Sequence, residues 1–189
     1  MDKILIEVSA RHIHLCLEDQ NKLFGPNFKL TKLKDLSQPN LFAAKEFVDI
    51  QIGEKKIEAV RVVGPLRPYT QIEISQTDAR FLKAPVPLRI SGDIKNSQGC
   101  TVIGPAGLVH LKQGMIIAKR HIHISLEQAK KLGLKQGHQA SVQITGERGL
   151  LFEQVIIRAD KNFRAAVHID TDEGNAAGID SKTKGKIII

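Results

Sequence analysis

The chain has 189 residues, 42% hydrophobic and 25% charged, with only 2 Cys and 7 Pro, which excludes a collagen, a disulfide scaffold and wholesale disorder. No apolar run approaches the roughly 20 residues needed to span a bilayer, and an early strand-like run in place of a basic and then apolar leader does not fit a secretory signal. Lys and Arg exceed Asp and Glu by 28 to 20, a net charge of +8 that favours a phosphorylated small-molecule partner, while one Tyr, seven Phe and no Trp leave few rings for stacking the bases of a nucleic acid.

In chain order, β-branched residues at 4–8 predict a strand, followed by Arg11-His12-Ile13-His14 and a short segment of helical spacing. Residues 27–40, rich in Lys, Leu and turn formers, are expected to form a mobile loop. Strand-like runs follow at 47–52, 56–63, 70–74 and 86–90, punctuated by Gly53, Gly64-Pro65 and Gly92-Asp93. Gly104-Pro105 precedes another β-branched run at 115–117, then Arg120-His121-Ile122-His123. There Ser125 and Gln128 have capping-box spacing, and Gly133 is placed to end a helix. Runs at 139–144, 151–157 and 186–189, with a turn at Gly146, complete the chain. The pattern predicts a mainly β (α+β) protein of two small barrels with short helices, rather than a parallel sheet with regular crossover helices.

An internal repeat carries the functional reading. RHIHLCLEDQNKL at 11–23 realigns on RHIHISLEQAKKL at 120–132, with eight of thirteen positions identical at an offset of 109. A weaker echo lays Ile72-Glu73-Ile74 on Val167-His168-Ile169, each followed by an acidic stretch. On a strand, residues i and i+2 share a face, so His12 with His14, and His121 with His123, can each converge on one ion. Two imidazoles at this spacing suit a transition metal, zinc above all, and a catalytic zinc normally has three protein ligands and one open position. Glu73 and His168 are the third ligands that the echo offers.

Other polar residues read more plainly. Arg11 and Arg120 are expected to form structural ion pairs, and His110 and His138 to sit on the surface or in loops. Cys16, whose counterpart is Ser125, is assigned a structural role, and the two cysteines are expected to be reduced thiols. Arg67, in a turn-rich stretch six residues before Glu73, is equally readable as a surface residue or as a guanidinium fork for phosphate.

RHIHL at 11–15, GPLRPYTQIEIS at 64–75, APVPLRISGD at 84–93, RHIHIS at 120–125 and HIDTDEGNAAG at 168–178 together resemble the phosphate propanoyltransferase (PduL-type phosphotransacylase) family. The resemblance implies reversible exchange of an acetyl or propanoyl group between coenzyme A and inorganic phosphate, with acyl phosphate as the other product. It implies two Zn²⁺, or other divalent transition metals, in a dinuclear site between two helix-capped barrels. One ion would lie on His12, His14 and Glu73 and the other on His121, His123 and His168. Arg67 would hold the phosphate, and Ser9, Lys34, Arg61 and Asn175 would contact coenzyme A. The barrels would be 1–10 with 119–189, and 11–118 with a helical or loop insertion at about 25–45. Gly174 departs from an expected Ala, and Asn96-Ser97-Gln98-Gly99 is a loose form of a Gly-rich turn. The resemblance leaves a homo-oligomer open.

Family members housed in microcompartments often carry an N-terminal amphipathic targeting extension. None is evident here, so a free cytoplasmic enzyme serving acetyl-CoA and acetate metabolism is expected, with no membrane or nucleic-acid partner. Three rivals remain at this level: a zinc-dependent acyl-CoA hydrolase, a non-catalytic zinc-stabilised binding module, and a nucleic-acid-binding barrel.

Overall fold

Apolar side chains alternate with polar ones in strand segments such as 139–144, and that period of two builds strands with one face against a core. The computed structural model describes residues 3–188. It opens with β1 (Ile4–Ser9), then the first His-x-His strand β2 (His12–His14) and helix α1 (Leu17–Phe24). Next come β3 (Lys32–Asp35), β4 (Phe42–Ile52), β5 (Lys55–Gly64), β6 (Gln71–Glu73) and α2 (Gln76–Phe81), followed by β7 (Leu88–Arg89), β8 (Gln98–Ile103) and β9 (Leu108–Ala118). The second His-x-His strand is β10 (His121–Ile124). After it run α3 (Leu126–Lys131), β11 (Gln139–Ile144), β12 (Leu150–Ala159), β13 (Ala166–Asp170), α4 (Thr171–Ala177) and β14 (Lys184–Ile188). No helix among the described residues is long and apolar enough to cross a membrane.

The chain divides into two compact units: Arg11–Ala118, and the segment ending at Ala10 together with the segment starting at Lys119. In the latter, six strands close in the order β1-β13-β10-β12-β11-β14, with β14 pairing back onto β1. In Arg11–Ala118, β4-β5-β2-β6-β9 closes through β8, which pairs with both β9 and β4, while β3 and β7 extend from β4 and β9. The protein is therefore mainly β, with two six-stranded barrels and a few short helices.

The two rings match strand for strand. β10, β12, β13, β11 and β14 occupy the places of β2, β5, β6, β4 and β8. The remaining pair is exchanged: β1 lies parallel to β13, and β9 lies parallel to β6. Each repeat therefore starts with a strand that completes the ring of the other repeat.

Both cores are aliphatic. Ile13, Val60, Val62, Ile72 and Met115 are fully buried in one barrel, and Ile122, Ile124, Val142, Val155 and Val167 in the other. Each such side chain contributes about 1.5–3 kcal/mol relative to exposure.

The strands that carry Glu73 and His168 are tied down at the turns that follow them. After β6, the Ser75 hydroxyl accepts from Asp78 N–H, and Asp78 accepts from Ser75 N–H. After β13, Asp170 and Glu173 make the same reciprocal cap. Arg11 forks onto Asp78 (3.0 and 2.7 Å), and Arg120 Nη1 donates to Glu173 at 2.9 Å. The arginines before the two His pairs are thus structural ion pairs, each locking its His strand to the helix cap of the partner strand. In α3 only half of the expected capping box forms: the Ser125 hydroxyl accepts from Gln128 N–H, while the Gln128 Oε1 accepts from that hydroxyl rather than from the Ser125 N–H, and Gly133 (φ +67°) follows the C-cap Leu132. At Gly174 an added Cβ would come within 2.6 Å of Val8 Cγ2, which explains why glycine stands where alanine was expected.

Three expectations change. Residues 27–40 are not all loop, because β3 pairs with β4 and Thr31 N–H donates to the Glu46 carboxylate. The loose Gly-rich turn at 96–99 runs into β8. There Gly99 packs against the carbonyls of Leu111 and Lys112, which leaves no room for a side chain. The run at 115–117 is only the end of the eleven-residue β9, whose first half mixes Leu108, Val109 and Leu111 with His110, Lys112 and Gln113 and so shows no continuous apolar run.

Cys100 lies in β8 at 8% exposure, and burial pushes its thiol up to about 12. Its thiolate is therefore scarce at pH 8. Iodoacetamide at that pH is expected to leave Cys100 unmodified in the native protein and to alkylate it in denaturant, as read by peptide mass spectrometry. Rapid native labelling of Cys100 would contradict this packing.

Candidate metal centres

In β2 the fully buried Ile13 enters the core, which sends His12 and His14 to the opposite face of the strand. The antiparallel register sets Glu73 of β6 directly across from His12. The donor atoms of His12, His14 and Glu73 all lie within 4.8 Å of one another. Gln71 Nε2 (2.7 Å) and Ser91 Oγ (2.6 Å) both donate to Glu73 Oε1. The other carboxylate oxygen, Oε2, is turned towards His12 Nε2 at 3.8 Å. His14 Nδ1 donates to the Val63 carbonyl at 2.9 Å, which fixes the tautomer and leaves the Nε2 lone pair outward. Burial, then the neighbouring His12 and Arg67, push His14 down to about 2, so it is a neutral imidazole at physiological pH.

The second centre repeats the construction. Ile122 is fully buried between His121 and His123, and the register pairs His121 with His168 of β13. Glu73 and His168 therefore occupy the same place in the two rings. His121, His123 and His168 bring their donor atoms within 4.8 Å of one another, with ring centroids 4.6–5.2 Å apart. His121 Nδ1 donates to the Lys119 carbonyl at 2.8 Å, which puts the lone pair on Nε2. His123, packed on Phe163, has a buried Nδ1 without a hydrogen-bond partner among the described residues. Burial first, then His168, His121 and Arg158, push His123 down to about 2.

Arg67 lies beside the first centre. Its backbone N–H donates to the Leu15 carbonyl at 2.9 Å, and its positive charge is one of the causes that hold His14 neutral. The other candidate residues are divided between the two units. Arg61 is the register partner of His12, but its guanidinium donates to the Ala44 carbonyl (2.6 Å) and lies 4.1 Å over the Phe47 ring. Lys34 is exposed on β3, Ser9 ends β1, and Asn175 is exposed on α4. Cys16 belongs to neither donor set; it starts α1, and its N–H donates to Thr70 Oγ1.

Sequence reasoning missed the residues that surround the candidate ligands: Gln71 and Ser91 on Glu73, Phe163 and Arg158 around His123, and Glu7, whose Oε2 stands 3.4 Å from His168 Nε2. Gln71, at i−2 from Glu73, carried a usable signal, since it shares a strand face with it. Ser91 and Glu7 are adjacent only through folding.

Two barrels, each presenting three convergent donors on the side of a strand away from its core, define a duplicated β-barrel protein with two clusters that could each hold a metal ion. A family model described as phosphate propanoyltransferase matches residues 5–180. A phosphate propanoyltransferase of Priestia megaterium is 48% identical over 178 residues, covering 94% of this chain and 82% of that protein. Those of Thermotoga maritima and Levilactobacillus brevis are 46% and 45% identical, covering 92% and 99% of this chain and 83% and 89% of theirs. The chain belongs to the phosphate propanoyltransferase family and is an acyltransferase enzyme.

Because His14 and His123 are neutral in the folded protein down to about pH 2 but titrate near 6.5 when unfolded, the unfolded chain binds more protons between those limits. Stability of the chelator-treated protein is therefore complete above about pH 6.5 and falls below it, by up to about 1.4 kcal/mol per pH unit for each histidine. Urea midpoints measured from pH 7.5 to 5 are expected to decrease along this course; a flat profile would refute the buried neutral assignment.

Proposed function

We propose that this enzyme reversibly transfers a short acyl group, acetyl or propanoyl, between coenzyme A and inorganic phosphate. The observation that carries the reading is the repeated three-donor cluster, with a guanidinium beside one copy. The donors fit divalent transition-metal ions, zinc foremost. Each set has three ligands rather than the four of a closed structural site, Glu73 is held by two hydrogen bonds, and His14 and His121 have ring tautomers that present Nε2. His12, His14 and Glu73 would hold one ion, and His121, His123 and His168 the other. When bound, such ions supply positive charge for the developing oxyanion and affinity for thiolate sulfur.

The chain's own residues then have definite tasks. Arg67 grips phosphate through two guanidinium N–H groups, so that a remaining oxygen faces the acyl carbon. That oxygen forms the new C–O bond, the C–S bond breaks, and its electron pair leaves with the coenzyme A sulfur. No acyl-enzyme intervenes in this scheme. Ser9, Lys34, Arg61 and Asn175 contact coenzyme A, whose phosphates match the chain's net charge of +8. Both cysteines are free thiols, which suits a reducing, cytoplasmic compartment.

Purified protein is expected to release free thiol from acetyl-CoA and propionyl-CoA only when phosphate or arsenate is present. Release in phosphate-free buffer would instead indicate a hydrolase. Arg67→Ala is expected to raise the KM for phosphate at least tenfold, the scale of a lost charge-assisted pair, with both ions retained. His168→Ala is expected to abolish turnover and to lower bound metal from two ions per chain to about one. Loss of an ion from Arg67→Ala would remove the phosphate role of that residue.

A further inference from the structure

The two centres differ in one respect that the duplication makes visible. Across the first, the strand register runs Ile116, Glu73, His12, Arg61; across the second, it runs Glu7, His168, His121, Ile156. Each row contains one carboxylate, but at different places. The first centre has Glu73 among its three donors, whereas the second has three imidazoles and no negative charge of its own. Glu7 comes from β1, the exchanged strand, at the place filled by apolar Ile116 in the other barrel. Ile4 and Ile6 enter the core, so alternation turns Glu7 to the face that carries His168. Its Oε2 lies 3.4 Å from His168 Nε2, an ion-pair distance without hydrogen-bond geometry that a small turn of either side chain would close, with the two side chains 24% and 17% exposed.

We propose that Glu7 is the positioning carboxylate of the second centre, orienting His168 and balancing the charge of the ion held there. The proposal rests on the reading above that His121, His123 and His168 bind a divalent ion. Three neutral imidazoles leave both positive charges of such an ion uncompensated in a buried place, where charge is costly. A carboxylate behind a ligand histidine accepts its outer N–H, fixes the ring and raises its basicity, and losing such a partner typically weakens metal binding about 10–100-fold.

The test uses full-length protein loaded with zinc, comparing wild type with Glu7→Gln, which keeps the shape and removes the charge. In competition with a chromophoric chelator, one of the two ions is expected to be held about 10–100-fold more weakly in Glu7→Gln and the other unchanged, with Glu7→Asp intermediate. In the cobalt-substituted protein, the visible bands of one ion are expected to shift. The melting temperature of metal-free protein is expected to be the same in wild type and Glu7→Gln, so that only the gain on metal loading shrinks. Unchanged affinity at both sites in Glu7→Gln, with wild type binding two ions, would overturn this proposal alone. Equal destabilisation of the metal-free and loaded forms would make Glu7 an ordinary ion-pair residue and also overturn it. Wild type that binds no ion would overturn the metal reading together with it.

Discussion

One isoleucine between two histidines governs both centres. Ile13 and Ile122 are completely buried in their barrels, and because strand side chains alternate, driving that one residue into the core forces both neighbouring imidazoles to the other side. The hydrophobic gain of seating the isoleucine thus offsets the cost of gathering polar rings where water is scarce. A register slip of one residue in either His strand would bury its histidines in the aliphatic core and lose that cluster, so each core defends the geometry of its own donors.

Around that constraint the fold adds a second layer of control. The strands bearing Glu73 and His168 turn at once into capped helices, and the capping acids Asp78 and Glu173 are gripped by Arg11 and Arg120 from the His strands. A single guanidinium thereby couples the two strands whose register makes each centre. Carbonyls and amides finish the work ring by ring: Val63 and Lys119 set the tautomers of His14 and His121, and Gln71 with Ser91 immobilises one oxygen of Glu73. Buried imidazoles held neutral and correctly turned need no proton removed before meeting a cation.

Duplication explains why the halves look alike and where they part. Exchange of β1 and β9 between rings places the residue beside each third candidate ligand outside its own repeat, glutamate in one barrel and isoleucine in the other. The third ligand itself diverged as well, to Glu73 and His168. The two clusters are consequently related in backbone and unlike in charge.

The six candidate ligands were legible in the sequence because their signal is local: i, i+2 histidines, a repeat at constant offset, and an echo before an acidic turn. The barrel class was legible too, since short alternating runs between Gly and Pro leave few alternatives. The strand at 32–35 and the first half of β9 were not: the first is an exposed Lys-Leu-Lys-Asp stretch ordered by its pairing with β4, and the second mixes Val109 and Leu111 with His110 and Lys112 and shows its inward face only once β8 lies beside it. Gln71 and Ser91 on one carboxylate, the arginine grips on the helix caps, and Glu7 behind His168 were decided by tertiary structure alone. Strand pairing brings residues dozens to more than a hundred positions apart into a row, and no linear pattern records which strand will lie next to which.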